Sequence, residues 1–263
     1  VASARLHATP HPVSWNQSQL LTVHVVDGAT AAYNIPVAVG LPGTTSTAAV
    51  RLAVRAVVDR HTVLRTVYGV AADGGFSQRV LRVGRDEASG DVLALRCVSH
   101  RATWSASAVL ASDAARGFEL LGPRAAVLRG ALVRALAAHA DHTLQLVVHH
   151  VAFDGASTGV LLGELDAALA SAFSSSGSGS ARPDARSLPL LALQYVDFAL
   201  WQRDAATEAA LGPQREHWRR ALREGATPPL ELPLDYPRPA KQTFALGVGS
   251  SCKWRGGDTS GPG

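Results

Sequence analysis

The segment DHTLQLVVHHVAFDG, residues 141–155, carries the clearest structural pattern in the chain. Its apolar residues alternate up to a pair of adjacent histidines, and its Val-rich composition favours a β-strand that ends where Asp-Gly follows. Residues 156–173 then place large apolar side chains at helical spacing, namely Leu161, Leu162, Leu165, Leu169 and Phe173. The sequence therefore predicts a strand over 141–150 followed by an amphipathic helix, with the histidine pair at the junction.

Weaker patterns fill the rest of the chain. Their periodicity predicts strands over 64–70, 76–83 and 91–100 and helices over 44–60, 105–118, 191–212 and 213–225. The turn at 72–75 joins two of these strands into a hairpin, and residues 125–138 fit either a helix or a strand. Strands mixed with helices, some of them in hairpins, predict an α/β fold of mixed α+β type rather than a regular βαβ array.

The composition indicates a folded chain with a large core. Of the 263 residues, 47% are hydrophobic and 17% are charged, which excludes a disordered or collagen-like chain. No continuous apolar stretch is long enough for a membrane span, and the N-terminal segment lacks the apolar middle of a secretion signal. We therefore expect no membrane partner and a cytoplasmic location. The absence of Met suggests a processed chain or a piece of a longer one.

The charged residues and the cysteines exclude further classes of protein. The net charge is +4, but all except two of the 25 basic residues are arginines, scattered singly, and only 6% of residues are aromatic. Nucleic-acid binding usually requires a basic stripe with interleaved aromatic residues, so we expect no nucleic-acid partner. Cys97 and Cys252 are far apart and form no CxxC motif, which argues against a disulfide scaffold and a Cys-based zinc site.

His149 and His150 are the first candidates for chemistry. Neighbouring residues of a strand point to opposite faces, so at most one of the two rings can face a given cleft. A neutral imidazole suits proton transfer near neutral pH, and a nearby Gly155 lets a substrate approach the backbone closely. Asp154 could fix the local geometry by pairing with an arginine. A buried structural histidine is the alternative, and a metal site is disfavoured because the two rings diverge.

The segment VVHHVAFDGAST, residues 147–158, resembles the HHxxxDG motif of nonribosomal peptide synthetase condensation domains, which have a chloramphenicol acetyltransferase-like fold. RHTVLRTVY at 60–68 is similar to the RHxxLRTxF segment of that family, and YVDFALWQR at 195–203 is similar to its YxDYAxWQR segment. Further family-like stretches are AAYNIP (31–36), ARGFELLGP (115–123) and LELPLDYPRP (230–239). Because all of them occur in the family's order, residues 14–244 are identified as a member of this family.

The chain departs from the family pattern in two places. The opening motif SxAQxRLWF is reduced to SWNQSQLL at 14–21, and the chain stops soon after LELPLDYPRP, whereas family members run on. The resemblance therefore implies an N-terminal lobe over 1–173 and only the beginning of a C-terminal lobe over 188–263. The Ser- and Gly-rich stretch at 174–187 is the predicted flexible linker between them. We expect such a chain to be inactive alone.

The resemblance also implies a reaction. Condensation domains join two thioesters carried on the phosphopantetheine arms of carrier proteins, and the acceptor amine attacks the donor carbonyl. The implied partners are donor and acceptor carrier proteins and an adjoining adenylation domain, with no cofactor and no metal held by the domain itself. His150 would face the tunnel between the lobes, either as a general base or as an acceptor that orients the amine. His149 would point into the lobe and have a structural role.

Other residues of the motifs receive supporting roles. Asp154 is expected to pair with an arginine of the RHxxLR segment, Arg60 by preference and Arg65 next, and both arginines are expected to hold the fold. Gly155 would let its N–H approach the thioester or the arm.

The remaining candidates lie at a helix start and in the YxDYAxWQR segment. Trp201 is expected to support the site by closing the lobe interface, and the helical face that it shares with Tyr195 and Gln202 is typical of core packing. Ser157, Tyr195 and Gln202 are weaker candidates for substrate contact, and Ser157 fits a helix cap equally well.

Two other functions stay open from the sequence. One is an O- or N-acyltransferase of the same superfamily that uses a soluble acyl thioester, and the other is a truncated, non-catalytic unit that docks a carrier protein. The RHxxLRT and YxDxAxWQ segments favour condensation, whereas the altered opening motif favours docking. Heterocyclisation is disfavoured because cyclising domains replace the histidine pair with Asp, and epimerisation fits the DGAST and YNIP stretches less well.

Overall fold

The computed structural model describes residues 9–82, 95–100, 106–122, 125–135, 141–174 and 189–223, together with Pro233 and Pro237. The helices of these ranges are α1 (Trp15–Asp27), α2 (Thr47–Arg60), α3 (Ala106–Ala114), α4 (Gly155–Ser174), α5 (Tyr195–Gln202), α6 (Ala205–Ala210) and α7 (Gly212–Ala221), with a 3₁₀ turn at Thr62–Arg65. The strands are β1 (His11–Pro12), β2 (Asn34–Leu41), β3 (Thr66–Val70), β4 (Phe76–Val80), β5 (Leu95–His100), β6 (Leu128–Ala135) and β7 (His142–His149).

The strands form two sheets. The larger one has the order β2-β7-β6-β5, in which β7 is antiparallel to both of its neighbours and β5 is parallel to β6. The smaller one is antiparallel and has the order β1-β4-β3, with β3 and β4 as consecutive strands. A mixed sheet with helices confirms the predicted α/β fold, and the β3–β4 pair confirms the predicted hairpin.

Strand β7 lies inside the larger sheet and is buried on both faces. Its residues Leu144, Leu146 and Val148 pack into the main core, which the apolar faces of α2 and α4 complete. On the opposite face, Val147 packs into a second, smaller core that includes Leu21 of α1. The strand predicted from the alternation is therefore confirmed, and its two faces pack into two different cores.

Residues 125–138, which fitted either period, contain strand β6. Crowding explains why this strand contains a glycine at position 130. A Cβ on Gly130 would lie 2.8 Å from Leu95 Cδ1 and 3.1 Å from Leu146 Cδ2. Strands β5 and β7 flank β6 on its two edges, and their leucines fill the space above Gly130. A low helix propensity for Gly and long-range pairing therefore outweigh the Ala content.

The single helix predicted over 191–212 is wrong. The structure ends α5 at Gln202, and the Asp204 carboxylate starts a new helix by accepting hydrogen bonds from the backbone N–H groups of Ala206 (3.0 Å) and Thr207 (3.4 Å). An aspartate at this place caps a helix rather than continuing one.

The segment that begins at Pro189 packs against the first part of the chain. Gln194 Oε1 accepts hydrogen bonds from the N–H and the hydroxyl of Thr62, both at 3.0 Å, and its Nε2 donates to Arg60 O at 3.0 Å. The predicted linker at 174–187 lies outside the described residues apart from Ser174, which ends α4. The division into two lobes therefore stays a prediction. None of the helices in the described ranges is long and apolar enough to cross a membrane.

Candidate functional site

His149 is the last residue of β7 and is buried, with 3% of its surface exposed. Its backbone N–H donates to Val127 O at 2.8 Å, and its ring meets the edge of Phe118 at a centroid distance of 5.9 Å. Its Nδ1 accepts a hydrogen bond from the backbone N–H of Val151 at 3.0 Å. An accepting Nδ1 carries no proton, so the geometry requires a neutral His149 with its proton on Nε2.

The electrostatics of the site agree with a neutral His149. Burial lowers the pKa of His149 to about 4, and the neighbouring His24, His150 and Arg129 act in the same direction. Desolvation and nearby positive charge both disfavour the imidazolium. The burial of this ring agrees with the structural role expected for His149.

His150 follows the end of β7 and has an exposed side chain. Its backbone N–H donates to Tyr33 O at 2.9 Å, which extends the β2–β7 pairing by one residue. The chain then turns, since Ala152 N donates to His149 O at 3.0 Å. The turn is thus bonded on both sides of His150, while the side chain of His150 is exposed. The predicted divergence of the two rings is confirmed.

Asp154 and Ser157 form the start of α4. Asp154 Oδ1 accepts hydrogen bonds from Ser157 N at 2.9 Å and Ser157 Oγ at 2.6 Å, and Asp154 N donates to Ser157 Oγ at 3.4 Å. These bonds, the hydroxyl one first, lower the pKa of Asp154. Asp154 is therefore the residue that caps α4, and Ser157 lies inside the first turn as the partner of that cap rather than as the cap itself. Gly155 is the first residue of α4, and a Cβ on it would meet no atom within 4 Å among the described residues.

The expected pairing of Asp154 with Arg60 or Arg65 is wrong. Arg60 Nε lies 2.8 Å from Glu164 Oε1 on α4, and Arg60 Nη1 donates to Pro189 O. Arg65 donates to Leu81 O and to Asp59 O. Asp154 is exposed and uses its carboxylate within its own helix cap, so no arginine is needed there. The expectation that both arginines hold the fold agrees with these contacts.

Glu164 is a residue that the sequence analysis missed. It faces the end of α2 and accepts from Arg60, while His61 Nε2 lies 2.6 Å from Glu164 Oε2. All three side chains are largely buried. The signal was a single glutamate on the amphipathic helix after the histidine pair, three residues after Leu161 of its apolar face.

Tyr195 and Gln202 bond to the start of α1. Tyr195 OH lies 3.0 Å from Ser14 Oγ, and Gln202 Oε1 accepts from the N–H of Trp15 at 2.8 Å. Ser14 also forms a capping box with Gln17, whose Nε2 donates to Tyr68 OH at 3.0 Å. The altered opening motif therefore keeps a buried polar network that joins it to the YxDYAxWQR segment. A role of Tyr195 or Gln202 in substrate contact stays a prediction.

The expected core packing of Trp201 is wrong. The residue is 59% exposed, and its ring lies 5.7 Å, centroid to centroid, from the ring of Phe198, which is itself 41% exposed. The helix face that contains them turns away from the described core, while Val196 and Ala199 face inward. Whether Trp201 closes a lobe interface stays a prediction.

Three further residues surround the histidine pair. They are Tyr33, Phe118 and Arg129, whose guanidinium carbon lies 3.9 Å from the centre of the Phe118 ring. The pKa of Arg129 is lowered to about 10, chiefly by burial. AAYNIP and ARGFELLGP stood out in the sequence only as family-like stretches. AAYNIP lies beside His149 because β2 pairs with β7, and ARGFELLGP lies there because the Phe118 ring contacts the His149 ring. Within the described part of the chain, no three His, Cys, Asp or Glu side chains are grouped to hold a metal ion.

Comparison with known proteins places this geometry in a family. The family model "Condensation domain" matches residues 8–249. Phosphinothricin tripeptide synthetase PhsC of Streptomyces viridochromogenes is 36% identical over 236 residues, which cover 89% of this chain and 20% of that protein. Chondramide synthase cmdD of Chondromyces crocatus is 33% identical over 242 residues, which cover 90% of this chain and 6% of that protein.

Two solved structures are similar over most of the chain. The X-domain in its complex with OxyB from teicoplanin biosynthesis superposes with a TM-score of 0.68 and 26% identity, covering 89% of this chain and 49% of that one. The starter condensation domain of rhizomide synthetase RzmA superposes with a TM-score of 0.64 and 16% identity, covering 84% of this chain and 50% of that one. The chain thus spans about half of these solved chains and a smaller share of the curated relatives.

Proposed function

Because the chain belongs to the condensation-domain family, we propose that it supplies the histidine-bearing half of a site that forms amide bonds between two carrier-bound thioesters. The acceptor amine attacks the donor carbonyl, a C–N bond forms, the C–S bond breaks, and the departing thiolate takes up a proton. The proposed partners are donor and acceptor carrier proteins, whose phosphopantetheine arms carry the substrates, and an adenylation domain that supplies aminoacyl groups.

One observation carries this proposal, namely the different environments of the two adjacent histidines. His149 is buried and uses Nδ1 to accept from Val151, whereas His150 is exposed and is held through its backbone. A side chain that must meet substrate has to be accessible, and its backbone has to be fixed for the ring to be placed reproducibly. His150 meets both requirements.

His150 can contribute in two ways. As a general base, it takes a proton from the attacking ammonium group or from the zwitterionic intermediate. As a hydrogen-bond acceptor, it orients the amine, and proximity supplies the acceleration because a thioester is already activated. Asp154 takes no part in proton transfer in either scheme, since its carboxylate is engaged in the cap of α4. Open space at Gly155 leaves room for an arm beside the helix start.

The test is single-turnover transfer between two loaded carrier proteins, using a chain extended to the full length of the condensation domains that it matches. His150→Ala should lower the rate about 10²–10⁴-fold if the residue is a general base, with a changed pH–rate profile, and less if it only orients the amine. His217→Ala removes an exposed histidine of α7 and is the matched control. The 263-residue chain alone should show no transfer above background. An unchanged transfer rate for His150→Ala would refute the proposal.

A second function, a docking unit without catalysis, is favoured by one comparison. The similar X-domain was solved in a complex with another protein, OxyB. Under this alternative, the extended chain would bind a carrier or another partner but give no transfer with any loaded pair. The same assay with a soluble acyl thioester and free amines tests the remaining alternative, an acyltransferase. Only an acyltransferase of that kind would work at full rate without carrier proteins.

A further inference from the structure

We propose that Asn34 is a positioning residue for His150 and acts through the peptide bond that joins it to Tyr33. This inference rests on the proposed function, because it assigns how the site histidine is held. Asn34 is the first residue of β2 and lies opposite His149 in the strand register. It was quoted in the sequence only as part of AAYNIP, with no role.

The link between the two residues is the Tyr33 carbonyl. This oxygen accepts the hydrogen bond of the His150 N–H at 2.9 Å, one residue beyond the last pair of the β2–β7 register. The orientation of the carbonyl is set by the peptide group that it shares with Asn34, whose N–H donates to Ala31 O at 3.0 Å. A rotation of this peptide group would remove the acceptor from His150.

The Asn34 side chain fixes that peptide group from the other side. Its Nδ2 donates to Ala114 O and to Arg116 O, both at 2.8 Å. Both acceptors are carbonyl oxygens, so the position requires a group with two N–H donors, which the amide of Asn supplies. A carboxylate of the same shape would place an acceptor against two acceptors, and an isosteric apolar side chain would leave Ala114 O without this donor.

The loop that accepts these bonds is itself rigidly held. Arg129 donates to Asp113 O at 2.8 Å, to Gly117 O at 3.3 Å and also to Arg116 O. A Cβ on Gly117 would lie 2.1 Å from Ala29 O, so the loop packs directly on the backbone that precedes β2. Asn34 therefore connects the His150 turn to a support that cannot shift without breaking several contacts.

The orientation of Asn34 has an energetic cost. Its Oδ1 is buried and has no hydrogen-bond partner among the described residues. An unpaired buried oxygen is unfavourable, and the two donated bonds are what keeps the amide in place. The two donated bonds thus hold the amide beside the accessible histidine despite its unpaired oxygen, which fits a positioning role better than simple packing.

The first test measures amide hydrogen exchange in the 263-residue chain by NMR. Asn34→Asp and Asn34→Leu should speed exchange at the His150 N–H about tenfold or more, while Leu144 and Leu146 in the middle of β7 keep their protection. Asn16→Asp changes the other asparagine of the sequence, which is exposed on α1, and should alter neither. Unchanged exchange at His150 in both Asn34 variants would overturn the proposal, and so would an equal loss of protection along the whole of β7.

The second test uses the carrier-to-carrier assay with the extended chain. Asn34→Leu should lower kcat about tenfold and leave KM for both loaded carriers within about twofold, because Asn34 orients His150 and touches no substrate. A rise in KM with unchanged kcat would contradict the positioning role. If the unsubstituted chain transfers nothing, the proposed function fails, whereas the exchange experiment still decides whether Asn34 holds the His150 backbone.

Discussion

The buried neutral His149 predicts that acid weakens the fold at the point where His150 is presented. In the folded chain the pKa of His149 is lowered to about 4, whereas an unfolded histidine has a pKa of about 6.5. Between these values the unfolded chain binds a proton that the folded chain excludes, so stability falls as the pH falls. The contribution of His149 is therefore complete above about pH 6.5 and is lost towards pH 4.

The size of this effect follows from the two pKa values. The full difference corresponds to about 3.4 kcal/mol, at about 1.36 kcal/mol for each pKa unit, and the loss between pH 7 and pH 5 is about 2 kcal/mol. The structural cause is specific, because a proton on Nδ1 would face the N–H of Val151, which now donates to that atom at 3.0 Å. Two donors would meet, and the turn that carries His150 would open.

Urea unfolding at pH 7, 6 and 5, followed by tryptophan fluorescence, measures this contribution. His149→Gln keeps a side-chain acceptor but cannot take up a proton, so its loss of unfolding free energy between pH 7 and pH 5 should be about 2 kcal/mol smaller than that of the unsubstituted chain. His150→Gln leaves His149 in place and should keep the larger loss. Equal losses in the unsubstituted chain and in His149→Gln would refute a buried neutral His149.

Two other substitutions test contacts that replaced the expected arginine pairing. Asp154→Ala should lower the free energy of unfolding by about 1 kcal/mol because α4 loses its cap. Asp154→Asn should lower it much less, because Asn also caps helices. A loss of about 3 kcal/mol for Asp154→Asn in thermal unfolding would instead indicate an arginine left without its ion-pair partner. Glu164→Gln should cost about 2–3 kcal/mol, because it weakens charged hydrogen bonds with Arg60 and His61 in a largely buried place. The control is Glu216, which forms an exposed ion pair with Arg220. Glu216→Gln should change the free energy of unfolding by less than about 0.5 kcal/mol in urea unfolding.

Local patterns were sufficient to predict most of the secondary structure. The alternation of β7 and the helical spacing of α2 and α4 are properties of short segments, and each segment buries the face that its own pattern marks. Residues 125–138 could not be assigned in this way, because the need for Gly130 arises from leucines on β5 and β7. The break at Asp204 was missed for a different reason, since an aspartate inside an otherwise helical pattern marks a cap only if the chain turns there.

The polar contacts of the site were harder to predict than its strand. Arg60 and Glu164 are 104 residues apart in the chain, and Asn34 and Arg116 are 82 residues apart. Nothing in the sequence spacing of Arg60 or Asn34 specifies its partner. Asp154, the carboxylate of the histidine motif, was the wrong partner for Arg60. The bond of Asp154 to Ser157 is local and could have been recognised, because an aspartate directly before a helical pattern is a preferred N-cap.

The divergence of two neighbouring strand residues was predictable, but the choice of the buried one depends on the sheet. Val147 of β7 faces the smaller core, where Phe118 also lies, and His149 follows two residues later on the same face. His150 would face the main core if β7 ran one residue further, and the strand instead ends just before it. The end of the strand is therefore what frees the second ring. His149 contributes to folding, whereas His150 is the accessible residue. Substitution of His149 should therefore lower stability, and substitution of His150 should lower the transfer rate.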